Sequence, residues 1–200
     1  MNSIDEKLGE IVKATGEENR YWICGPQTGR FLYDKVIEVG AKNILEFGTS
    51  VGYSALWMIK ALIDNRQQGR QTADSSGGHL WTVESHKERG DLACGNFRGV
   101  EEFVTLVRGH APEVLVGMNL PVFDIAFFDA TKYEHLSYFD AVYPRLRDGG
   151  FLIVDNVISH GEGNMMKKFL EKVKTHPCMR TEILNIGSGL MVSRKDLSAQ

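Results

Sequence analysis

The chain has 200 residues, 42% of them hydrophobic, and a formal net charge of −3 from 23 basic and 26 acidic side chains. This length suits one α/β domain that buries its own core. The slightly acidic balance argues against a nucleic-acid partner, because neutralising phosphates requires clustered Lys and Arg. The polar start after Met1 and the lack of any apolar run near the roughly 18 residues of a membrane span predict a soluble protein without a membrane partner.

Cysteine usage indicates the compartment. Cys24, Cys94 and Cys178 are odd in number and widely spaced, with no C-x-x-C pair. Neither a disulfide framework nor a zinc site is indicated, so a reduced, cytoplasmic setting is the simplest interpretation.

Short apolar runs alternate with helical patterns along the chain, which is typical of a parallel sheet covered by helices on both faces. The predicted strands are 43–47, 80–84, 103–107, 123–129 and 151–155, followed by a terminal antiparallel hairpin over 181–194. The predicted helices are 27–39, 53–63, 86–97, 133–145 and 164–175, with a shorter one in the first 15 residues. The polar, glycine-containing stretch 64–79 predicts a mobile surface loop.

The segment NILEFGTSVGYSAL (43–56) predicts a strand, a tight glycine turn and a helix N-terminus. Gly48 and Gly52 let backbone N–H groups approach a ligand, and the helix start adds partial positive charge. The spacing differs from the G-x-G-x-x-G of dinucleotide sites, and Glu46 would repel a pyrophosphate. A ligand with a cationic part therefore fits better, with a purely structural turn as the alternative.

Polar side chains follow several predicted strands, and the carboxyl ends of parallel strands meet at one edge of a sheet. Glu84 ends the second strand, where it can accept both hydroxyls of a ribose or cap the following helix. Asp129, Asp155 and Asn156 end the fourth and fifth strands and form an all-oxygen set that suits Mg²⁺. Helix capping explains either aspartate singly but explains the whole set poorly.

These segments resemble the small cation-dependent O-methyltransferases. E-x-G-x-x-x-G-Y-S resembles motif I of class I S-adenosylmethionine (SAM) methyltransferases, FDIAFFDATKYEHLSYFD resembles the metal and lysine segment of catechol and caffeoyl-CoA O-methyltransferases, and FLIVDNV resembles their second metal segment. The similarity runs from about Gly25 to Lys195. It implies one Rossmann-like methyltransferase domain over 1–200, with a seven-stranded, mostly parallel α/β sheet in the order 3-2-1-4-5-7-6.

By the same resemblance, Asp129, Asp155 and Asn156 are metal ligands, and Lys132 acts with Asp129 in catalysis. The residues expected at the methyl donor are Glu46, Gly48, Thr49, Ser50, Gly52, Tyr53, Ser54, Glu84, Gly109, His110, Ala111 and Asp129. His110 replaces the acid of a common Gly-Asp-Ala segment, which contacts the adenine amino group in relatives. An imidazole at this position can still stack or hydrogen-bond.

The resemblance also implies that residues 1–26 form a substrate lid, with Tyr21, Trp22 and Arg30 as candidates. Core or interface packing is the alternative role for these three side chains. A homodimer is possible by analogy with relatives. The other histidines, His79, His86, His135, His160 and His176, show no metal spacing and are interpreted as surface residues.

The implied reaction is Mg²⁺-assisted transfer of a methyl group from SAM to a hydroxyl of a small, vicinal dihydroxy aromatic. A catalytically inactive SAM-binding regulatory protein and a nicotinamide oxidoreductase are the alternatives. The missing third glycine and Glu46 disfavour the second of these.

Overall fold

The computed structural model describes residues 3–69, 78–161 and 163–199. One seven-stranded sheet with the order β3-β2-β1-β4-β5-β7-β6 forms the centre, as predicted. The strands are β1 (Asn43–Phe47), β2 (His79–Glu84), β3 (Val104–Arg108), β4 (Phe123–Phe128), β5 (Leu146–Val154), β6 (Met179–Leu184) and β7 (Leu190–Lys195). Strands β1 to β5 are parallel, whereas β7 runs antiparallel to both β5 and β6.

Six helices flank the sheet within the described ranges. They are α1 (Ile4–Thr15), α2 (Gly25–Val39), α3 (Tyr53–Gln67), α4 (Lys87–Asn96), α5 (His135–Val142) and α6 (Asn164–Thr175). None of them has both the length and the apolarity needed to cross a bilayer.

Two apolar cores lie on opposite faces of the sheet, because side chains alternate along each strand. Ile44 of β1 packs with residues of α1, α2 and α3, whereas Leu45 and Phe47 pack with residues of α5 and α6. Both faces of the central strands are therefore buried, which accounts for their nearly continuous apolar sequence.

The structure corrects three predicted boundaries. β5 begins at Leu146, five residues before the predicted start, and its pairing with β4 shifts register between Phe123 and Ile125. The predicted helix 133–145 is divided into α5 and two flanking 3-10 turns, Lys132–Glu134 and Tyr143–Arg145. Pro144 ends α5 on the second side, because it cannot continue the helical hydrogen bonding.

The third correction concerns the predicted loop 64–79. Helix α3 continues to Gln67 and β2 begins at His79, so both ends of that stretch belong to regular elements. Residues 70–77 lie outside the described part of the chain.

Candidate active site

A cavity of about 740 Å³ lies at the carboxyl ends of the five parallel strands, β1 to β5. Ten of the predicted site residues line it: Gly48, Ser50, Glu84, Gly109, His110, Ala111, Asp129, Lys132, Asp155 and Asn156. Residues from five strand ends thus share one cavity, as expected where the strand order reverses between β1 and β4.

The glycine turn is held tightly against the end of β4. Gly48 has a φ of 101°, and a Cβ added there would lie 2.5 Å from the carbonyl oxygen of Asp129. Ser50 also has a positive φ, 48°, and its N–H donates to Glu84 Oε2 at 2.7 Å. The turn therefore needs glycine at position 48 for space as well as for conformation.

Glu84 accepts one backbone N–H at each carboxylate oxygen. Ser50 N donates to Oε2 at 2.7 Å, and His86 N donates to Oε1 at 2.8 Å. The second bond is the expected contact with the start of the following helix. Each carboxylate oxygen retains a further lone pair, so both predicted roles are compatible with the observed geometry.

Glu46 lies beneath the turn and not on the cavity surface. It is fully buried, and its two oxygens accept hydroxyl donors from Ser54 and Thr82, each at 2.5 Å. Burial raises the pKa of the Glu46 carboxyl to about 7, against the opposing effect of the two hydroxyl donors. The side chain is turned inward because β1 pairs with β2 in a register that places Glu46 beside Thr82.

Four further residues predicted at the methyl donor also lie outside the cavity lining: Thr49, Gly52, Tyr53 and Ser54. Thr49 joins the buried hydroxyl network, since its Oγ1 lies 2.5 Å from Thr82 Oγ1. The described geometry gives these residues and Glu46 a supporting position behind the turn.

Two aspartates and an asparagine face the other end of the cavity. Asp155 is 1% exposed; its Oδ1 accepts the N–H of Asn156 at 2.7 Å, but its Oδ2 is buried without a hydrogen-bond partner. Burial first and the neighbouring Asp129 second raise the pKa of the Asp155 carboxyl to about 7. A buried, unpartnered carboxylate oxygen next to a second carboxylate fits a bound cation.

Within the described ranges, no three His, Cys, Asp or Glu side chains are arranged to hold a metal ion. A cation here would therefore depend on the amide of Asn156 as well as on Asp129 and Asp155. Asn156 has a φ of 62°, a left-handed conformation that asparagine adopts more readily than most other residues.

Lys132 extends back over the oxygen cluster. Its Nζ donates to Asp129 Oδ1 at 2.7 Å, and both side chains are largely buried. Burial raises the pKa of the Asp129 carboxyl, while the Lys132 cation opposes this shift. Lys132 and Asp129 thus form a close ion pair on the cavity surface.

The interpretation of His135 as a surface residue is wrong. His135 is fully buried at the start of α5, and its Nδ1 lies 3.2 Å from the Thr131 carbonyl oxygen and 3.1 Å from that of Lys132. Burial lowers the pKa of the imidazole to about 4, with a further contribution from the Lys132 cation. The neutral ring therefore carries its proton on Nδ1 and anchors the backbone that bears Lys132.

Several residues that sequence reasoning did not assign to the site also line the cavity, among them Cys24, His86, Arg89, Glu134, Tyr138 and His160. Of the three lid candidates, Trp22 alone is in the lining; it is 67% exposed, and the Arg89 guanidinium lies 4.4 Å from its ring centroid. Burial and the carboxylates of Asp129 and Asp155 raise the pKa of the Cys24 thiol. These contacts join segments distant in the sequence, so no local motif identifies them.

The fold is that of the class I methyltransferases, as the sheet order and the solved structures similar to it show. A structure of an O-methyltransferase from Bacillus cereus, described as a complex with SAH, aligns with a TM-score of 0.81 and 26% identity, covering 96% of this chain and 91% of that one. The O-methyltransferase sequence family matches residues 3–196. The chain therefore belongs to this O-methyltransferase family.

Among curated proteins, a catechol O-methyltransferase from Niastella koreensis is 32% identical over 160 residues, which cover 78% of this chain and 64% of the relative. A caffeoyl-CoA O-methyltransferase from Populus kitakamiensis is 30% identical, with 66% of this chain and 54% of the relative covered. The chain thus spans less than two thirds of the length of these curated relatives.

Proposed function

We propose that this protein transfers the methyl group of SAM to one hydroxyl of a small, vicinal dihydroxy aromatic acceptor with the help of a divalent cation such as Mg²⁺. The observation that carries the proposal is the single cavity in which the Glu84 end and the Asp129–Asp155–Asn156 end face each other. Family membership supports methyl transfer to oxygen and removes the support for a nicotinamide oxidoreductase.

The methyl donor lies along the turn at Gly48 and Ser50 in this proposal. Glu84, held by two backbone N–H groups, accepts the ribose hydroxyls with its remaining lone pairs. Gly48 allows the donor to approach the backbone, and Asp129 lies directly across from it. The buried Glu46 network keeps the turn in this shape from behind.

The acceptor lies at the oxygen cluster. Asp129, Asp155 and Asn156 would hold the divalent cation, which, when bound, lowers the pKa of a coordinated hydroxyl and orients both oxygens of a vicinal diol. Lys132 Nζ, which pairs with Asp129 as the ammonium, would first release a proton to solvent. As the free amine it would then take the acceptor's hydroxyl proton, so that the resulting oxyanion attacks the sulfonium methyl carbon in line and SAH leaves. His135 fixes the Lys132 backbone and thereby the reach of its ammonium group.

The proposal is tested by titrating the purified protein with S-adenosylhomocysteine (SAH) calorimetrically and by measuring catechol methylation with and without EDTA. We expect SAH binding in both conditions and turnover only without the chelator, restored by added Mg²⁺. Turnover that EDTA leaves unchanged would overturn the metal assignment, and SAH binding without turnover of any catechol would favour the regulatory alternative.

A further inference from the structure

The cofactor end of the cavity carries a polar bridge between two separate loops. His110, in the loop after β3, places Nε2 at 3.2 Å from Glu134 Oε1. Glu134, in the 3-10 turn after β4, accepts the hydroxyl of Tyr138 at Oε2, at 2.7 Å. All three side chains line the cavity. The bridge thus fixes the orientation of the Glu134 carboxylate from two sides.

The contacts of His110 define its protonation. Its Nδ1 lies 2.8 Å from the carbonyl oxygen of Ala111, which only accepts, so Nδ1 carries a proton. Nε2 faces the carboxylate of Glu134, and Glu113 lies 3.6 Å from Nδ1. Both ring nitrogens therefore face acceptors, and the Ala111 carbonyl first, then Glu134, raises the pKa of the imidazole. Because both nitrogens are directed at protein oxygens, His110 offers the cavity no free acceptor.

Glu134 retains acceptor capacity. A carboxylate oxygen has two lone-pair sites, and each Glu134 oxygen has one polar partner in the protein among these contacts. The side chain is 30% exposed, on the cavity surface. A ligand group that only donates hydrogen bonds, such as an exocyclic amine, matches this acceptor.

The position of the Glu134 carboxylate relative to Glu84 indicates which part of the ligand would contact it. Gly109 N donates to the backbone oxygen of Glu84 at 3.0 Å, so the His110 loop begins beside the proposed ribose site. The oxygen cluster, where the methyl group must be delivered, occupies the other end. A nucleoside held by its ribose at Glu84 therefore directs its base towards His110 and Glu134.

We propose that Glu134, held by His110 and Tyr138, accepts a hydrogen bond from the exocyclic amine of the cofactor's adenine and so determines base specificity. The inference rests on the proposed function, since it presupposes an adenosyl ligand. A 6-oxo base would place a carbonyl oxygen against the Glu134 carboxylate and leave both acceptors unpaired, which is unfavourable in a partly buried site.

The test compares SAH with S-inosylhomocysteine, in which the 6-amino group is replaced by oxygen. We expect calorimetric titration of the wild-type protein to give roughly 10- to 100-fold tighter binding of SAH, as for one hydrogen bond to a charged acceptor. In Glu134→Gln the preference should fall at least tenfold, because an amide can donate to the 6-oxo group. If Glu134 had a purely structural role, the substitution would weaken the binding of both ligands equally and leave the ratio of their affinities unchanged.

Two further variants control this experiment. Glu113 supplies the other carboxylate beside His110; its side chain is 73% exposed and is not among the cavity-lining residues. Glu113→Gln should therefore keep the wild-type ratio of the two binding constants. Tyr138→Phe keeps the ring but removes the donor to Glu134, and should lower the ratio by a smaller factor even if Glu134→Gln fails to fold. An unchanged ratio in a folded Glu134→Gln or in Tyr138→Phe overturns the inference, whereas failure of the wild-type protein to bind SAH overturns the proposed function instead.

Discussion

The sheet carries aspartates at both ends of its parallel strands, and their surroundings differ. At the amino end, Asp124 of β4 accepts the N–H groups of Lys42 and Asn43 at 2.8 Å each and the Arg147 Nε at 2.6 Å. At the carboxyl end, Asp155 has one backbone donor, a second oxygen without a partner, and a neighbouring carboxylate. The first arrangement stabilises the fold, whereas the second leaves a buried carboxylate oxygen without a hydrogen-bond partner, which is unfavourable.

The two aspartates differ in how many of their acceptor sites are hydrogen-bonded, and this difference distinguishes a structural carboxylate from the one proposed to hold a cation. Asp124 connects three strands, since its partners lie at or just before the starts of β1 and β5. Asp155 instead presents unmet acceptor capacity to a cavity. Substitutions at the two ends should therefore separate stability from activity.

Asp155→Asn tests the carboxyl end and should have the largest effect. The side-chain amide oxygen can still accept the Asn156 N–H, but the negative charge that would bind a cation is lost. We expect methylation activity to fall by more than about 100-fold, the upper end of what loss of an outer-shell metal partner causes. Turnover of catechol at saturating Mg²⁺ measures this.

The same variant should fold at least as stably as the wild type. The raised pKa of Asp155 means that the folded state loses stability as the pH rises through about 7, and the uncharged amide removes this loss. SAH affinity should stay within several-fold of the wild-type value. A marked drop in thermal stability or in SAH affinity would contradict the division between the two ends.

Asp124→Ala tests the amino end. It leaves two backbone N–H groups and the Arg147 guanidinium without their acceptor, so we expect the free energy of unfolding to fall by about 2–4 kcal/mol. Urea denaturation measures the change, with kcat/KM near the wild-type value for the folded fraction.

Asp140→Ala is the matched control for this substitution. Its side chain is 62% exposed and pairs with Lys172 on the surface, so its removal should cost less than about 1 kcal/mol. Equal losses in the two variants would show that Asp124 has no special structural role.

Gly48→Ala tests how closely the ends of β1 and β4 must approach at the site. The added Cβ would contact the Asp129 carbonyl at 2.5 Å, and the φ of 101° is unfavourable for alanine. We expect a loss of about 1–3 kcal/mol in stability and a displacement of Asp129 that lowers kcat/KM by up to about 100-fold.

Gly117→Ala separates the two causes. Gly117 has a φ of 83°, but nothing lies within 4 Å of an added Cβ. Gly117→Ala should therefore lower the stability through backbone strain but leave kcat/KM at the wild-type value. A comparable drop in kcat/KM in Gly117→Ala would rule out close approach as the reason for Gly48.

Much of the fold follows from local pattern. The predicted bounds of β1 and α6 match the structure, because each is an apolar or amphipathic run with clear breaks at both ends. The early start of β5 was missed, since Gly149 and Gly150 interrupt the apolar pattern there and the strand is held by pairing with β4.

The site was partly predictable for a similar reason. Strand-end polarity places Glu84, Asp129 and Asp155 at one edge, and the structure brings them into one cavity. The burial of His135 was not predictable, because its carbonyl partners and surrounding rings are set by tertiary packing. The inward orientation of Glu46 likewise depends on register with β2, which one sequence does not define.

Glu46→Gln tests the comparison of the two ends of the sheet at a position that combines features of both. Glu46 lies near the carboxyl end of β1, as Asp155 lies at that of β5, but both of its oxygens are hydrogen-bonded, as those of Asp124 are. Its pKa of about 7 in the folded state exceeds the ordinary carboxyl value of 4.5, so the folded state binds more protons between these values. The contribution of Glu46 to stability is therefore lost as the pH rises through that window to about 7. Between pH 6 and 8 we expect the wild type to lose about 1 kcal/mol more than Glu46→Gln. The difference between the two unfolding curves isolates Glu46, because Asp155 titrates in both proteins. Parallel pH profiles combined with a large loss of SAH affinity would instead favour direct contact of Glu46 with the methyl donor.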